Sequence, residues 1–246
     1  MKFPASPTFF QHHKNGKWTM SKNIVEKVDD RVKINTVLVS VSDKTGLETL
    51  IPGLIKQNPD LMIMSTGGTY KRIKEILGSD AAISLFEVSE YTGQPETQGG
   101  LVKTLDFKIH LGLLTETYNE AHQEDMKRTF SRPIDMVVAN LYPFERTIAE
   151  DDVTVEKARG NIDIGGPAMI RAAAKNFIRV APVVDPQSYQ GLVEKIQANG
   201  GLLTLEDRFE LAKNAFAHTA AYDKVISEWM NGRTCQDAAS CYKTEG

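Results

Sequence analysis

The sequence predicts an α/β protein: a parallel sheet with helices on both faces, in three layers, followed by a C-terminal helical region. Three observations carry this reading. Short β-branched apolar runs recur along the chain, segments with helical periodicity separate them, and turns rich in Gly, Ser and Thr follow several of the runs. In open sheets of this kind, ligands bind beyond the carboxyl ends of the strands.

The elements follow in order. Residues 1–33 read as a polar extension, partly disordered, in which Ile24 to Val32 has the pattern of a short helix. The core domain spans residues 34–230. It opens with a buried strand, Thr36 to Val41, then the loop Ser42-Asp43-Lys44-Thr45-Gly46 and a helix from Leu47 to about Gln57, which Pro52 is expected to kink or delay. Leu61 to Met64 is a second strand. The loop Ser65-Thr66-Gly67-Gly68-Thr69 comes next, with a helix from Tyr70 to Leu77. Ile83 to Val88, Asp135 to Asn140 and Ile178 to Val184 complete the strands, and Asp185-Pro186 starts another helix. Leu203 to Trp229 is helical by pattern, with Thr204 and Asp207 as a capping pair. Residues 231–246 read as a loose tail.

Composition narrows the function. The 246 residues carry a net charge of −3, against the basic balance expected of a nucleic-acid binder. No run approaches the roughly 20 apolar residues of a membrane span, and the start lacks a secretory signal. The two cysteines, Cys235 and Cys241, form neither a disulfide framework nor a metal-ligand spacing. Among the histidines, His218 reads as structural, and none forms a metal pattern. A cytoplasmic protein binding a small anionic molecule by local positive charge is the consequence.

The loops supply that charge. Ser42 to Gly46 leaves a strand and enters a helix, so free N–H groups, Lys44 and the hydroxyls of Ser42 and Thr45 can meet a phosphate. A plain helix cap with a surface lysine would look the same. Gly67 and Gly68 let the backbone approach a ligand at the equivalent end of the next strand, and the two loops should open on one crevice. Lys103 and Thr104 follow Gly99-Gly100. Asn140, at the end of a buried strand, can offer a donor and an acceptor to a base; Leu141, Tyr142 and Phe144 come after it. Asn161-Ile162-Asp163-Ile164-Gly165-Gly166-Pro167 leads into an alanine-rich helix that ends near Lys175.

These residues carry a resemblance. Val39 to Gly46, Ser65 to Thr69, Val102 to Leu105, Asn140 to Phe144, Asn161 to Pro167, Ala172 to Asn176 and Phe216 to Asp223 resemble, in order, the motifs of the N-terminal IMP cyclohydrolase domain of the PurH family. The likeness runs from about Thr36 to Met230. It implies a methylglyoxal-synthase-like fold and the dehydrative closure of 5-formamidoimidazole-4-carboxamide ribotide to IMP, without metal or cofactor. It implies that Ser42, Asp43, Lys44, Thr66, Gly67, Gly68 and Thr69 hold the nucleotide, with Lys103, Thr104, Asn140 and Leu141 in further contact. Asp163 and Ile164 would lie against the base, beside Gly165 and Gly166.

The chemistry suits these groups. Intramolecular attack of the carboxamide nitrogen on the formyl carbon needs only near-attack geometry. In this reading Asp163 polarises the N–H, Lys103 or Lys175 stabilises the formyl oxygen, Lys175 is the principal proton-transfer residue and Tyr142 relays or orients. The scheme requires Lys175 and Asp163 to face one cleft. Three departures from the family pattern fall in one loop: Leu101 in place of an arginine, Asp106-Phe107 in place of His-Pro, and His110-Leu111-Gly112-Leu113-Leu114 in place of His-Gly/Ala-Gly-Ile-Leu. The family also continues into a formyltransferase domain, whose activity is not expected here; the chain reads as monofunctional or as half of a split pair with a separate formyltransferase. A homodimer is implied. The runner-up reading is a non-catalytic nucleotide-binding regulatory module of the same fold, and a methylglyoxal synthase stands behind it.

Overall fold

The computed structural model describes residues 24–94 and 102–243. Five parallel strands form the central sheet: β2 (Thr36–Val41), β3 (Met62–Ser65), β4 (Leu85–Glu87), β5 (Met136–Asn140) and β6 (Ala181–Val183), in the order β4-β3-β2-β5-β6. A separate two-stranded ribbon pairs β1 (Arg31–Lys33) antiparallel with β7 (Leu202–Thr204). The helices are α1 (Leu47–Gln57), α2 (Gly67–Leu77), α3 (Ala81–Ser84), α4 (Val88–Thr92), α5 (Phe107–Leu114), α6 (Glu120–Arg128), α7 (Phe144–Ile148), α8 (Val155–Gly160), α9 (Gly165–Lys175), α10 (Tyr189–Ala198), α11 (Leu205–Asn231) and α12 (Cys235–Ala239).

Alternation along the strands divides the core in two. Val37, Val39 and Val41 of β2 turn to one face, where Leu50, Ile51, Leu54, Ile73, Leu192 and Ile196 from α1, α2 and α10 cover them. Leu38, Val137 and Ala139 turn to the other, under Ile109, Leu113, Met169, Ala173 and Ala215 from α5, α9 and α11. The three-layer prediction holds. Alanines along α9 let it lie close against the strands. Strand order reverses between β2 and β5: β3 and β4 extend the sheet one way, β6 the other. That switch point opens a crevice at the carboxyl ends of β2 and β5.

Several elements differ from the sequence reading, each for a local reason. Ile24 to Val32 is not helical; Asp29 is irregular and Asp30 a bend, with their carbonyls taken by the Arg208 guanidinium, and Arg31 begins β1. Helix α1 runs unbroken through Pro52, which is exposed. Helix α2 begins at Gly67 rather than Tyr70, so the loop before it is only Thr66. The run Ile83 to Val88 yields a strand of three residues, because Ala81–Ser84 coil and a Glu87–Glu90 capping box starts α4. The expected strand from Ile178 begins only at Ala181, since the Arg179 and Val180 N–H groups bond the Asn176 carbonyl. Leu202–Thr204 is strand, and α11 starts behind the Thr204–Asp207 capping box. The expected loose tail instead forms α12 behind a Thr234–Asp237 box, and the Tyr242 hydroxyl bonds Glu156 of α8.

Two buried arginines hold the amino end of the sheet and the chain around it. Arg179 bonds Asp135 Oδ1 at 3.1 Å and the carbonyls of Gly112, Thr115 and Ile134, while Asp135 Oδ2 accepts from the N–H groups of Asn35 and Thr36. Fully buried Arg208 reaches five carbonyls, those of Asp29, Asp30, Phe177, Ile178 and Leu203. Each of its five N–H donors is spent. Leaving such donors unpaired would cost more than forming the bonds gains.

Candidate active site

At the carboxyl ends of the strands the predicted loops come together. Asn140 closes the gap between β2 and β5. Its Oδ1 accepts from the Asp43 N–H and its Nδ2 donates to the Asp43 carbonyl, both at 2.8 Å. The side-chain amide thus acts as a further peptide group in the ladder, and both functions expected for a base are engaged by the loop. Asp43 Oδ1 accepts from the Thr45 N–H at 2.9 Å. The Thr45 side chain first and this backbone bond second, ahead of Arg146 and Lys44, hold the Asp43 carboxyl below the usual range. Lys44 folds back, its Nζ donating to the Ser42 carbonyl at 3.1 Å.

Thr66 and Thr69 fasten the neighbouring loop. The Thr69 hydroxyl is buried and bridges the Val41 N–H and carbonyl at 3.2 and 3.0 Å, so it is a structural tie rather than a ligand contact. Thr66 Oγ1 lies 3.3 Å from Ser40 Oγ. No side chain caps the start of α2, leaving the amides around Gly67 and Gly68 available to an anion. Two lysines converge there: Lys103 Nζ is 3.6 Å, and Lys44 Nζ 3.9 Å, from where a Cβ on Gly67 and Gly68 respectively would sit. A Cβ at either position would make only ordinary contact with these lysines; what requires glycine at 67 is its left-handed backbone, φ 49°.

The Asn161–Pro167 segment closes the third side. A Cβ on Gly165 would lie 2.6 Å from Thr104 Oγ1, and one on Gly166 2.7 Å from Asp163 Oδ2 and 2.6 Å from Leu141 Cδ2. Asp163 Oδ1 accepts from the Gly166 N–H at 2.9 Å. Burial raises the Asp163 pKa above the ordinary aspartate value, against opposing hydrogen bonds from the Gly166, Tyr142 and Gly165 amides. The Tyr142 and Ile164 side chains are exposed at the rim.

Two concavities flank this cluster. One, about 1070 Å³, runs from Ser42, Asp43, Lys44, Thr45, Asn140 and Leu141 towards Arg146, Ser188 and His218. The other, about 340 Å³, lies under Lys103 and joins Thr66 and Gly67 to Glu87, Leu105 and Phe107. Asp106 caps α5, accepting from the Lys108 N–H at 2.7 Å, and Phe107 stands exposed at the mouth. Leu101, Gly99 and Gly100 lie outside the described residues. Among the described residues there is no group of three or more His, Cys, Asp or Glu able to hold a metal. No helix among them is long and apolar enough to cross a membrane.

Lys175 does not join the cluster. It is exposed in the last turn of α9, whose first residue is Gly165. Ten residues of helix separate them by about 15 Å along the axis. Its neighbour Asn176 bonds the Leu113 and Thr115 carbonyls, near Arg179 and the amino end of the sheet. The expectation that Lys175 and Asp163 face one cleft within a chain is therefore corrected: a helix returning between parallel strands carries its last turn away from their carboxyl ends. Conversely, the sequence reading missed Arg146 and Ser188, and assigned no cleft role to His218. His218 Nε2 is shielded and without a hydrogen-bond partner, and burial lowers the imidazole pKa. Arg146 follows the Asn140–Phe144 motif by two residues, the one signal that pointed to it.

The fold and its carboxyl-end cluster define an α/β domain of the methylglyoxal-synthase-like class. The model of the MGS-like domain matches residues 47–168, and that of the AICARFT/IMPCHase bienzyme matches residues 173–245. The bifunctional purine biosynthesis protein PurH of Magnetococcus marinus is 45% identical over 199 residues, covering 81% of this chain and 36% of that protein. PurH of Leptospira biflexa is 44% identical over 202 residues, covering 82% and 38%. The crystal structure of ForH superposes with a TM-score of 0.65 at 32% identity, covering 78% of this chain and 97% of that one. The chain is thus homologous to PurH over about four fifths of its own length, and it spans little more than a third of the length of these curated relatives.

Proposed function

We propose that this chain is an IMP cyclohydrolase of purine biosynthesis, closing the second ring of 5-formamidoimidazole-4-carboxamide ribotide. The observation that carries the reading is the meeting of an uncapped glycine helix start, two lysines and a half-buried aspartate at one switch point. The 5′-phosphate sits on the Gly67 and Gly68 amides beside Lys44, and the base lies towards Lys103, Asp163, Ile164 and Leu141. Asp163, made more basic by burial, accepts the carboxamide N–H while the nitrogen attacks the formyl carbon. Lys103 stabilises the negative charge growing on the formyl oxygen, a contribution on the order of 10²–10³ in rate for one donor. The carbinolamine then loses water: the C–O bond breaks, the former formamide nitrogen gives up its N–H proton as the ring C=N forms, and the two N–H protons lost over the reaction leave with the formyl oxygen as water. Lys103 is also the cation nearest to donate the proton that the hydroxyl needs; Lys175, about 15 Å off along α9, takes no part within one chain.

The Asn140–Asp43 pairing gives the first loop a fixed seat, so positioning supplies much of the acceleration and no cofactor is invoked. We extend the proposal to a cytoplasmic homodimer that uses the outer face of α11, where Phe209 and Phe216 are exposed, and to a separate formyltransferase providing the substrate. The test is the ultraviolet absorbance change when purified protein meets the formylated ribotide without metal or nucleoside triphosphate. Turnover sustains the reading. Binding of IMP with no turnover would replace it with a regulatory nucleotide-binding module.

A further inference from the structure

Asp163 owes its place to a residue 59 positions further on. The Asp163 N–H donates to the Tyr222 hydroxyl at 2.8 Å. Tyr222 stands in α11 and meets Phe144 edge-on, with ring centroids 6.4 Å apart; Phe144 meets Trp229 of the same helix at 6.1 Å. Phe144 is buried and follows the Asn140–Leu141 turn. One aromatic stack therefore fastens α11 to both chain segments that border the cleft. The fit is close, since Gly166 leaves no space for a methyl group beside the Asp163 carboxyl.

We propose that Tyr222 is a positioning residue for Asp163: its hydroxyl fixes the main chain at 163 so that the carboxylate stays beside the Gly165 and Gly166 amides and faces the cleft. The inference rests on the reading of Asp163 as the active-site carboxylate. Facing that carboxylate are the amides of Tyr142, Gly165 and Gly166, while the phenol also feels the charges of Asp163 and Asp223. Burial disfavours ionisation of the phenol, which keeps it a neutral acceptor for the Asp163 N–H at working pH.

Tyr222→Phe keeps the ring and its edge contact and removes only the hydroxyl. We expect kcat on the formylated ribotide to fall about fivefold to tenfold, the size of one lost hydrogen bond, with KM within twofold. The titration midpoint of Asp163, followed by the ¹³C shift of its carboxyl carbon, should fall towards that of an ordinary aspartate as the loop loosens into water. Trp229→Phe is the packing control: it lowers the melting temperature and leaves that titration in place. An unchanged Asp163 titration in folded Tyr222→Phe overturns the proposal, as does an equal shift in Trp229→Phe. If the wild-type protein turns nothing over, the cyclohydrolase reading falls, yet the titration still decides the role of Tyr222 because it needs no substrate.

Discussion

The two ends of the central sheet are built on opposite principles. At the amino end, Arg179 and Arg208 are buried, and their donors are matched to carbonyls and to Asp135. At the carboxyl end, α2 starts without a side-chain cap, burial raises the pKa of Asp163, and two lysines stand over the glycines that begin α2. One end is saturated and the other leaves capacity for a guest. The difference teaches where stability and chemistry reside: a substitution at the first should unfold the protein, and one at the second should silence it.

The largest effect on stability is expected from Arg179→Met. It strands the Asp135 carboxylate and three carbonyls in a buried place, and should cost about 3–5 kcal/mol in urea unfolding. A loss under ~1 kcal/mol would break the contrast from the amino end. At the carboxyl end, Lys103→Ala and Asp163→Asn should each lower kcat about 10²–10³-fold, while their unfolding midpoints stay near wild type. An equal loss of stability and turnover would mean that the two ends are not separable.

The pH dependence sharpens the comparison. Asp163 must be ionised to accept the substrate N–H, and burial raises its pKa. The acid limb of kcat/KM should therefore lie above the ordinary aspartate value, with activity rising as pH climbs through it. For stability the sign reverses. An acid whose native pKa is raised adds stability that is fully present below its unfolded value and lost as pH rises through the native one. Asp163→Asn should remove this slope, which titration of the urea midpoint across the acid range would reveal. The smallest effect is expected from Lys175→Ala: turnover within about twofold of wild type, and a few tenths of a kcal/mol from the helix terminus. A hundredfold loss would bring Lys175 back into the chemistry and would require it to act from another copy of the chain.

How much of this was legible in the sequence depended on burial. β2 and β5 are covered on both faces, so their apolar runs were plain, and the Thr204–Asp207 box marked the start of α11. The short edge strands β4 and β6 were overdrawn, because neighbouring helix starts and the Asn176 turn claim residues that are equally apolar. β1 was missed, since three residues, Arg31-Val32-Lys33, become a strand only when β7 is present to pair with them. In the site, the glycine loops, Lys103 and Asp163 could be read from spacing and resemblance. That Asn140 and Thr69 spend their polar groups on the backbone could not, because it depends on which strand ends lie side by side. The Lys175 expectation failed on direction: a motif gives order along the chain, whereas a helix of eleven residues takes its ends to different places.

The pairing of β1 with β7 also bears on how the molecule is made. Arg31 meets Thr204 across 172 intervening positions, and the Asp29 and Asp30 carbonyls wait for Arg208. During synthesis β1 emerges well before β7 and finds no partner until β7 has also left the ribosome. Closure of this ribbon is a long-range event, so β1 stays open to proteases or chaperones until β7 and the start of α11 emerge to enclose it.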